Sequence, residues 1–136
     1  MPFRLALDTP RRLALMAFAG HVDGDEIVRA SAELLHAAGD GPVDLVCDLT
    51  DVASLNLLPG DLDDILDAKL DGPATDADPR CDVVIAKREL DRLVARFYRL
   101  LAGRRGLPVH VCRTRQEACR WLGVAELPGV PAHAAS

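Results

Sequence analysis

The sequence has few aromatic residues, with three Phe, one Tyr and one Trp among 136 positions, so its core must be built from Leu, Val, Ile and Ala. No apolar run approaches the roughly 20 residues that a membrane-spanning helix needs. The first 20 residues are interrupted by charged side chains, unlike the apolar core of a signal peptide. We therefore expect a cytoplasmic protein with no transmembrane segment.

The cysteines lack any metal-binding or redox spacing. No two of them form C-x-x-C, and none pairs with histidines at zinc-finger spacing. Most fall in or beside apolar segments, where a free cysteine behaves as a small hydrophobic residue. We expect structural packing for all four: Cys47, Cys81, Cys112 and Cys119.

Catalytic patterns are also missing. There are only three serines and no G-x-S-x-G motif, and no glycine-rich loop is placed to hold a phosphate. The aspartates at 48, 51, 61, 63 and 64 lack the spacing of a calcium loop. Asp48 is better placed to accept hydrogen bonds from the backbone that follows it. We expect a non-enzymatic protein without metal or cofactor.

Charge is distributed unevenly along the chain. Residues 1–86 carry 6 basic and 17 acidic side chains, whereas residues 87–120 carry 10 basic and 3 acidic ones. Such asymmetry indicates either an electrostatic partner or two oppositely charged faces. Nucleic acid is not expected as the partner, because the net charge is −5 and no aromatic residues alternate with the basic ones.

Apolar periodicity predicts the order ββαβαβαβα. Residues 3–8 and 12–19 indicate a hairpin, and strands follow at 43–49, 81–86 and 109–112. Helices are expected over 23–38, 57–70, 88–105 and 115–122, with Asp23 and Glu26 forming a capping box. A loop is expected over 72–80. This alternation predicts one α/β domain over 1–123, with a mixed, mostly parallel sheet, an N-terminal antiparallel hairpin and four covering helices. Residues 124–136 are expected to form a disordered tail.

This order resembles the STAS fold of the SpoIIAA-like anti-sigma-factor antagonists. The most specific similarities are Asp48-Leu49-Thr50-Asp51-Val52 at a strand end, Leu93–Arg99 in the long helix, and Glu117–Leu122 in the last helix. They are similar to the STAS/Sec14-like branch, which consists of small soluble bacterial proteins. The resemblance implies a regulatory domain that binds another protein.

The resemblance also implies a phosphorylation switch, but its serine motif does not carry over. Classical antagonists have Asp-Ser-Ser or Asp-Ser-Thr where this chain has Asn56-Leu57-Leu58. The nearest hydroxyl groups are those of Thr50 and Ser54. We therefore define a candidate switch loop and keep a switch at Thr50 or Ser54 as a weaker alternative; the loop comprises Asp48, Thr50, Asp51, Ser54 and Asn56.

The long helix is the leading candidate for partner binding. At about 100° per residue, its apolar positions are expected to face the core and four arginines to face outward. These are Arg88, Arg92, Arg96 and Arg99. Two interpretations stay open for this arginine face: a solvated surface, or a docking surface for an acidic protein or anionic headgroups.

Two further possibilities concern partners. The acidic helix 61–71 and the arginine face have opposite charges, so a homodimer is possible, with an apolar patch supplying most of the binding energy.

The Sec14-like resemblance implies a small apolar or lipid ligand, in a pocket near Phe97, Tyr98 and Trp121. The leading hypothesis is a non-enzymatic regulatory module that recognises a protein partner.

Overall fold

Five strands form one sheet in the order β1-β2-β3-β4-β5 in the computed structural model, which describes residues 3–71 and 77–129. The strands are β1 Phe3–Asp8, β2 Leu13–Asp23, β3 Gly41–Asn56, β4 Ala77–Ile85 and β5 Val109–Cys112. The helices are α1 Gly24–Ala38, α2 Asp61–Leu70, α3 Glu89–Arg104 and α4 Arg115–Leu122. The predicted element order is confirmed.

The sheet is mixed, as the sequence predicts. Strands β1 and β2 pair antiparallel, and all other neighbours pair parallel. The predicted loop at 72–80 is shorter than expected, because β4 begins at Ala77 and pairs there with Gly41. Residues 72–76 of that loop lie outside the described residues.

The helices divide unequally between the two faces of the sheet. Helices α1, α2 and α3 pack on one face through residues such as Leu34, Leu66 and Ala95. Helix α4 packs on the other face, where Ala118 and Cys119 meet the side chains of β3, β4 and β5. Successive residues of a buried strand point to opposite faces of the sheet. In β3, Leu45 and Cys47 pack in the core under α1, α2 and α3, whereas Val46 packs in the core under α4.

Strand β3 is longer than predicted. The sequence suggests a strand over 43–49 followed by a loop, but β3 continues to Asn56 and stays paired with β2 as far as Asp23. Its pairing with β4 ends earlier, at Asp48 and Ile85, and β4 pairs with β5 only as far as Cys112. A two-stranded ribbon of β2 and β3 therefore extends beyond the rest of the sheet.

Helix α2 begins later than predicted, at Asp61 rather than at residue 57. Pro59 and Gly60 form a turn in front of it, and Gly60 has a left-handed φ of 95°. The Asp61 carboxylate accepts a hydrogen bond from the Leu58 amide at 2.5 Å, which closes this turn. The residues at 57 and 58 are thereby kept out of the helix.

The predicted disordered tail differs from the structure over its first residues. The Leu127 side chain is buried against the α4 face of the sheet, and the Arg4 guanidinium donates to the Gly129 carbonyl at 3.1 Å. The Leu127 side chain and the Gly129 carbonyl therefore hold residues 124–129 against the sheet. The rest of the tail, 130–136, lies outside the described residues. Among the helices described, none has the length and apolar character needed to span a bilayer.

Candidate functional site

Helix α3 is rotated from the orientation that its sequence predicts. The side that it buries carries Asp91, Ala95, Tyr98 and Ala102, spaced by four, three and four residues. Most of the large apolar residues expected in the core instead face outward. The prediction that the large apolar side chains of this helix line the core is wrong for most of them.

The outward apolar residues form a continuous row, which we call the apolar stripe: Leu90, Leu93, Phe97 and Leu100. Their side chains are between 53% and 65% exposed. Leu58, in the turn before α2, is 73% exposed and lines the same groove as Leu93 and Phe97. An exposed apolar row of this size on a monomer is a marker of an interaction surface.

A buried polar contact explains the rotation. The Lys69 ammonium of α2 lies 2.5 Å from Oδ2 of Asp82 on β4, and the Tyr98 hydroxyl of α3 donates to the same oxygen at 2.6 Å. Lys69 also donates to the Tyr98 hydroxyl at 2.9 Å. Burial, and then the Asp82 carboxylate, raise the pKa of Tyr98 well above its ordinary value. The two small residues Ala95 and Ala102 let the helix approach the sheet closely enough for this contact.

The four arginines predicted to bind a partner fall into two pairs. Arg88 donates to the Ala53 carbonyl, and Arg92 donates to the carbonyls of Ala86 and Lys87 at 3.2 and 2.6 Å. These two arginines therefore bind backbone carbonyls of β3 and of the segment that precedes α3. Arg96 and Arg99 are exposed; Arg96 borders the apolar stripe, between Leu93 and Leu100 on the helix surface, and Arg99 lies further round the helix. Only the second pair matches the predicted outward surface.

The candidate switch loop is part of β3, and its acids hold α4. Oδ1 of Asp48 accepts from the Thr50 amide at 2.9 Å and from its hydroxyl at 2.5 Å, as the expected backbone cap. Arg115 of α4 bridges Asp48 at 2.7 Å and Asp51 at 3.0 Å. A phosphate on Thr50 would meet the Asp48 carboxylate, so this geometry disfavours phosphorylation there.

Ser54 and Asn56 lie on the projecting ribbon. Nδ1 of His21 on β2 is 2.6 Å from the Ser54 hydroxyl, and the Asn56 amide donates to that hydroxyl at 3.4 Å. The sequence did not indicate the His21 contact, because it depends on pairing of β2 with the part of β3 that was expected to be a loop. The register places His21 opposite Ser54.

A cavity of about 40 Å³ lies behind α3, between that helix, α2 and the sheet. We call it the inner cavity; its polar lining includes Lys69, Asp91 and Tyr98, and most of the remaining lining is apolar. An open groove of about 580 Å³ runs outside it, between α3 and the turn before α2. Leu57, Leu62 and Val94 line both spaces, so the groove adjoins the inner cavity.

The structure separates the three predicted pocket residues. Tyr98 lines the inner cavity and Phe97 lines the groove. Trp121 lies on α4, on the other face of the sheet, where its ring stacks on His110 with centroids 4.6 Å apart. The pocket that the sequence predicts between the long helix and the sheet therefore does not include Trp121.

The cysteines are buried thiols. Burial raises the pKa of Cys47, Cys81 and Cys112 to about 12, and it also raises that of Cys119. The thiolate is the reactive form of cysteine. These environments agree with the packing role expected from the sequence.

Comparison with solved structures identifies the fold. The chain superimposes on an uncharacterized protein of the DUF3478 family with a SpoIIAA-like fold, from Shewanella loihica PV-4. The TM-score is 0.57 at 13% sequence identity, over 88% of this chain and 91% of that one. This chain has a SpoIIAA-like α/β fold of the STAS type. No family model matches it, and no curated protein does.

Removing one partner of the buried Lys69–Asp82–Tyr98 contact is expected to lower the free energy of unfolding more than replacing all three polar groups with apolar ones. Lys69→Met leaves the Asp82 carboxylate buried without a counter-charge, which should lower the free energy of unfolding by about 3–5 kcal/mol. The triple variant Lys69→Met, Asp82→Leu, Tyr98→Phe removes all three polar groups together. Urea denaturation should show the triple variant to be more stable than Lys69→Met alone. Equal or lower stability of the triple variant would contradict this account.

Proposed function

We propose that this chain is a non-enzymatic binding module that recognises a protein partner through α3. The observation that carries the proposal is the apolar stripe, whose four large side chains remain exposed on one side of a single helix. Removing such a row from water on binding is favourable, by roughly 25 cal/mol for each Å² of apolar surface. The fold supports this role only in general terms, because domains of one fold serve unrelated functions.

The charges beside the stripe indicate the chemistry of the partner. Arg96 borders it on one side, Arg99 lies next to Arg96 on the helix surface, and both residues are exposed. Asp67 of α2 and Asp71, which follows that helix, already pair with Arg105 at 2.8 and 2.5 Å. A partner with an apolar centre and an acidic edge on the arginine side would therefore match this surface. Two copies of the chain have less acidic surface to offer each other, because Arg105 occupies two of the aspartates.

The stripe can be tested by capture of binding proteins from a lysate of the source cells. Leu93→Ser with Phe97→Ser should reduce the captured partner by about tenfold or more, because apolar and aromatic anchors supply most binding energy. Arg96→Glu with Arg99→Glu should weaken capture and mainly slow association. The matched controls are Trp121→Ser, an exposed aromatic residue on the other face, and Arg29→Glu, an exposed arginine of α1.

Both controls should capture the same protein as the unaltered chain. If both α3 variants also capture it in unchanged amounts, α3 is not the docking surface. If the only captured protein is a second copy of the chain, the partner is the chain itself, and the proposal of a different protein fails.

A second candidate function, as a carrier or sensor of a small apolar ligand, is favoured by the inner cavity and its groove. Small-molecule sites are concave and mostly apolar, with a few polar groups that orient the ligand. The groove is lined by Leu57, Leu93 and Phe97 among others, and it opens to solvent beside the stripe.

Native mass spectrometry of protein purified without detergent tests this second function. A bound ligand should appear as a discrete adduct that is lost under denaturing conditions. Filling the entrance with Val94→Trp should abolish the adduct, whereas Trp121→Ser should retain it. The mass of the bare chain alone, in every preparation, would contradict a carrier role.

A further inference from the structure

The apolar stripe has the spacing of a coiled-coil seam. Its members Leu90, Leu93, Phe97 and Leu100 follow one another at intervals of three, four and three residues. This is the spacing of the a and d positions of a heptad, through which one helix packs along another. The seam is about 15 Å long, at 1.5 Å per residue. It faces solvent rather than another helix of the described chain.

The groove beside the stripe widens this seam into a broader apolar face. Val94 and Leu101 occupy the e positions of the same heptads and line the groove. Leu57, Leu58 and Leu62 line it from the side of α2 and the turn before it. Apolar residues at a, d and e form the kind of face with which a helix packs into a bundle. The surface therefore has the pattern of a site for one additional helix.

The backbone around the groove favours a helical occupant over an extended one. In the turn before α2, the Leu58 amide donates to the Asp61 carboxylate at 2.5 Å, and the Leu58 carbonyl accepts from the Asp61 amide at 3.0 Å. The Gly60 carbonyl accepts from the Asp64 amide at 3.0 Å, and Pro59 has no amide hydrogen. An added strand needs a row of unpaired backbone groups, whereas a helix satisfies its own.

The surface has opposite charges along its two edges. Arg96 occupies the g position, on the edge of the stripe away from the groove. Asp63 of α2 lines the groove on the other edge. Both residues are exposed, and neither has an ion-pair partner among the described residues. An occupant with acidic residues along the first edge and basic residues along the second therefore matches this surface.

We infer that the stripe and the groove hold an amphipathic helix of the partner, with apolar residues at heptad spacing, an acidic flank against Arg96 and a basic flank against Asp63. This inference rests on the proposed recognition of a protein partner through α3, and it specifies the form of that partner. Such a helix would cover Leu58, Leu93 and Phe97 together. An extended segment would leave its own backbone groups without partners in the groove.

Two synthetic peptides of identical composition, each about 18 residues long, test the helical form. The first has leucines at the a and d positions, glutamates along one flank and lysines along the other, whereas the second has its leucines at alternate positions, as in a strand. Fluorescence anisotropy is measured at concentrations where sedimentation shows each peptide to be a monomer. The first peptide should have a dissociation constant at least about tenfold lower than the second. Circular dichroism of the mixture should show more helix than the sum of its components.

Charge variants test the two flanks with the first peptide. Arg96→Glu makes both edges acidic and should weaken binding by about three- to tenfold, because an exposed attraction becomes a repulsion. Adding Asp63→Lys restores one acidic and one basic edge, so the peptide should bind in the reverse orientation with nearly the original affinity. Leu93→Ser with Phe97→Ser should weaken binding at least about tenfold, whereas Arg29→Glu on α1 should leave it unchanged. Circular dichroism establishes that each variant is folded.

The outcomes separate the form of the partner from the docking surface itself. Equal affinity of the two peptides, or no binding of the first, overturns the helical form, while loss of lysate capture in the α3 variants still supports the docking surface. Failure of Asp63→Lys to restore binding in Arg96→Glu overturns the assignment of the flanks. Unchanged peptide binding in Leu93→Ser with Phe97→Ser overturns the location.

Two further results would overturn the proposed function together with the inference. One is unchanged capture of the partner by both α3 variants. The other is a chain that sediments as a dimer and becomes a monomer in Leu93→Ser with Phe97→Ser, because the occupant would then be a second copy of the chain.

Discussion

The buried contact between Lys69, Asp82 and Tyr98 fixes how the long helix lies on the sheet. It joins three elements at one carboxylate oxygen, with Lys69 and Asp82 almost wholly removed from solvent. Charges in such surroundings must remain paired, because a lone buried ion costs several kcal/mol. Any rotation of α3 that brought its leucines to the core would take the Tyr98 hydroxyl away from Asp82. The polar contact therefore decides the orientation against the hydrophobic preference of the helix.

Both proposed functional surfaces follow from that orientation. The side of α3 that meets the sheet buries Asp91 beside the inner cavity, and the opposite side presents the apolar stripe to solvent. An exposed row of large apolar residues is unfavourable in the isolated chain, and so is a buried carboxylate whose Oδ2 atom has no hydrogen-bond donor among the described residues. Burial raises the pKa of Asp91, although Arg88 opposes the shift. Features that cost stability and yet persist are typical of binding sites.

The sequence could predict the elements but not how they pair and rotate. Apolar runs and the Asp23 cap were sufficient for the element order, and the cap is present as an Asp23 carboxylate that accepts from the Glu26 amide. The length of β3 was missed because its polar residues after Asp48 have the composition of a loop, although they pair with β2. The rotation of α3 was missed because periodicity assigns apolar residues to the core, whereas Tyr98 depends on partners from β4 and α2. Likewise, no local pattern indicates that Asp91 would be buried or that Trp121 lies on the opposite face.

Carbene footprinting of the monomeric protein, with residue-level mass spectrometry, tests the outward orientation of α3 most directly. The structure predicts that Leu93 and Phe97 are labelled strongly, as Leu58 is, while the buried Leu34 and Leu35 of α1 are protected. In Lys69→Met, loss of the contact should change the labelling of α3 more than that of α1. Protection of Leu93 and Phe97 to the level of Leu34 in the unaltered monomer would contradict the account, because the stripe would then belong to the core.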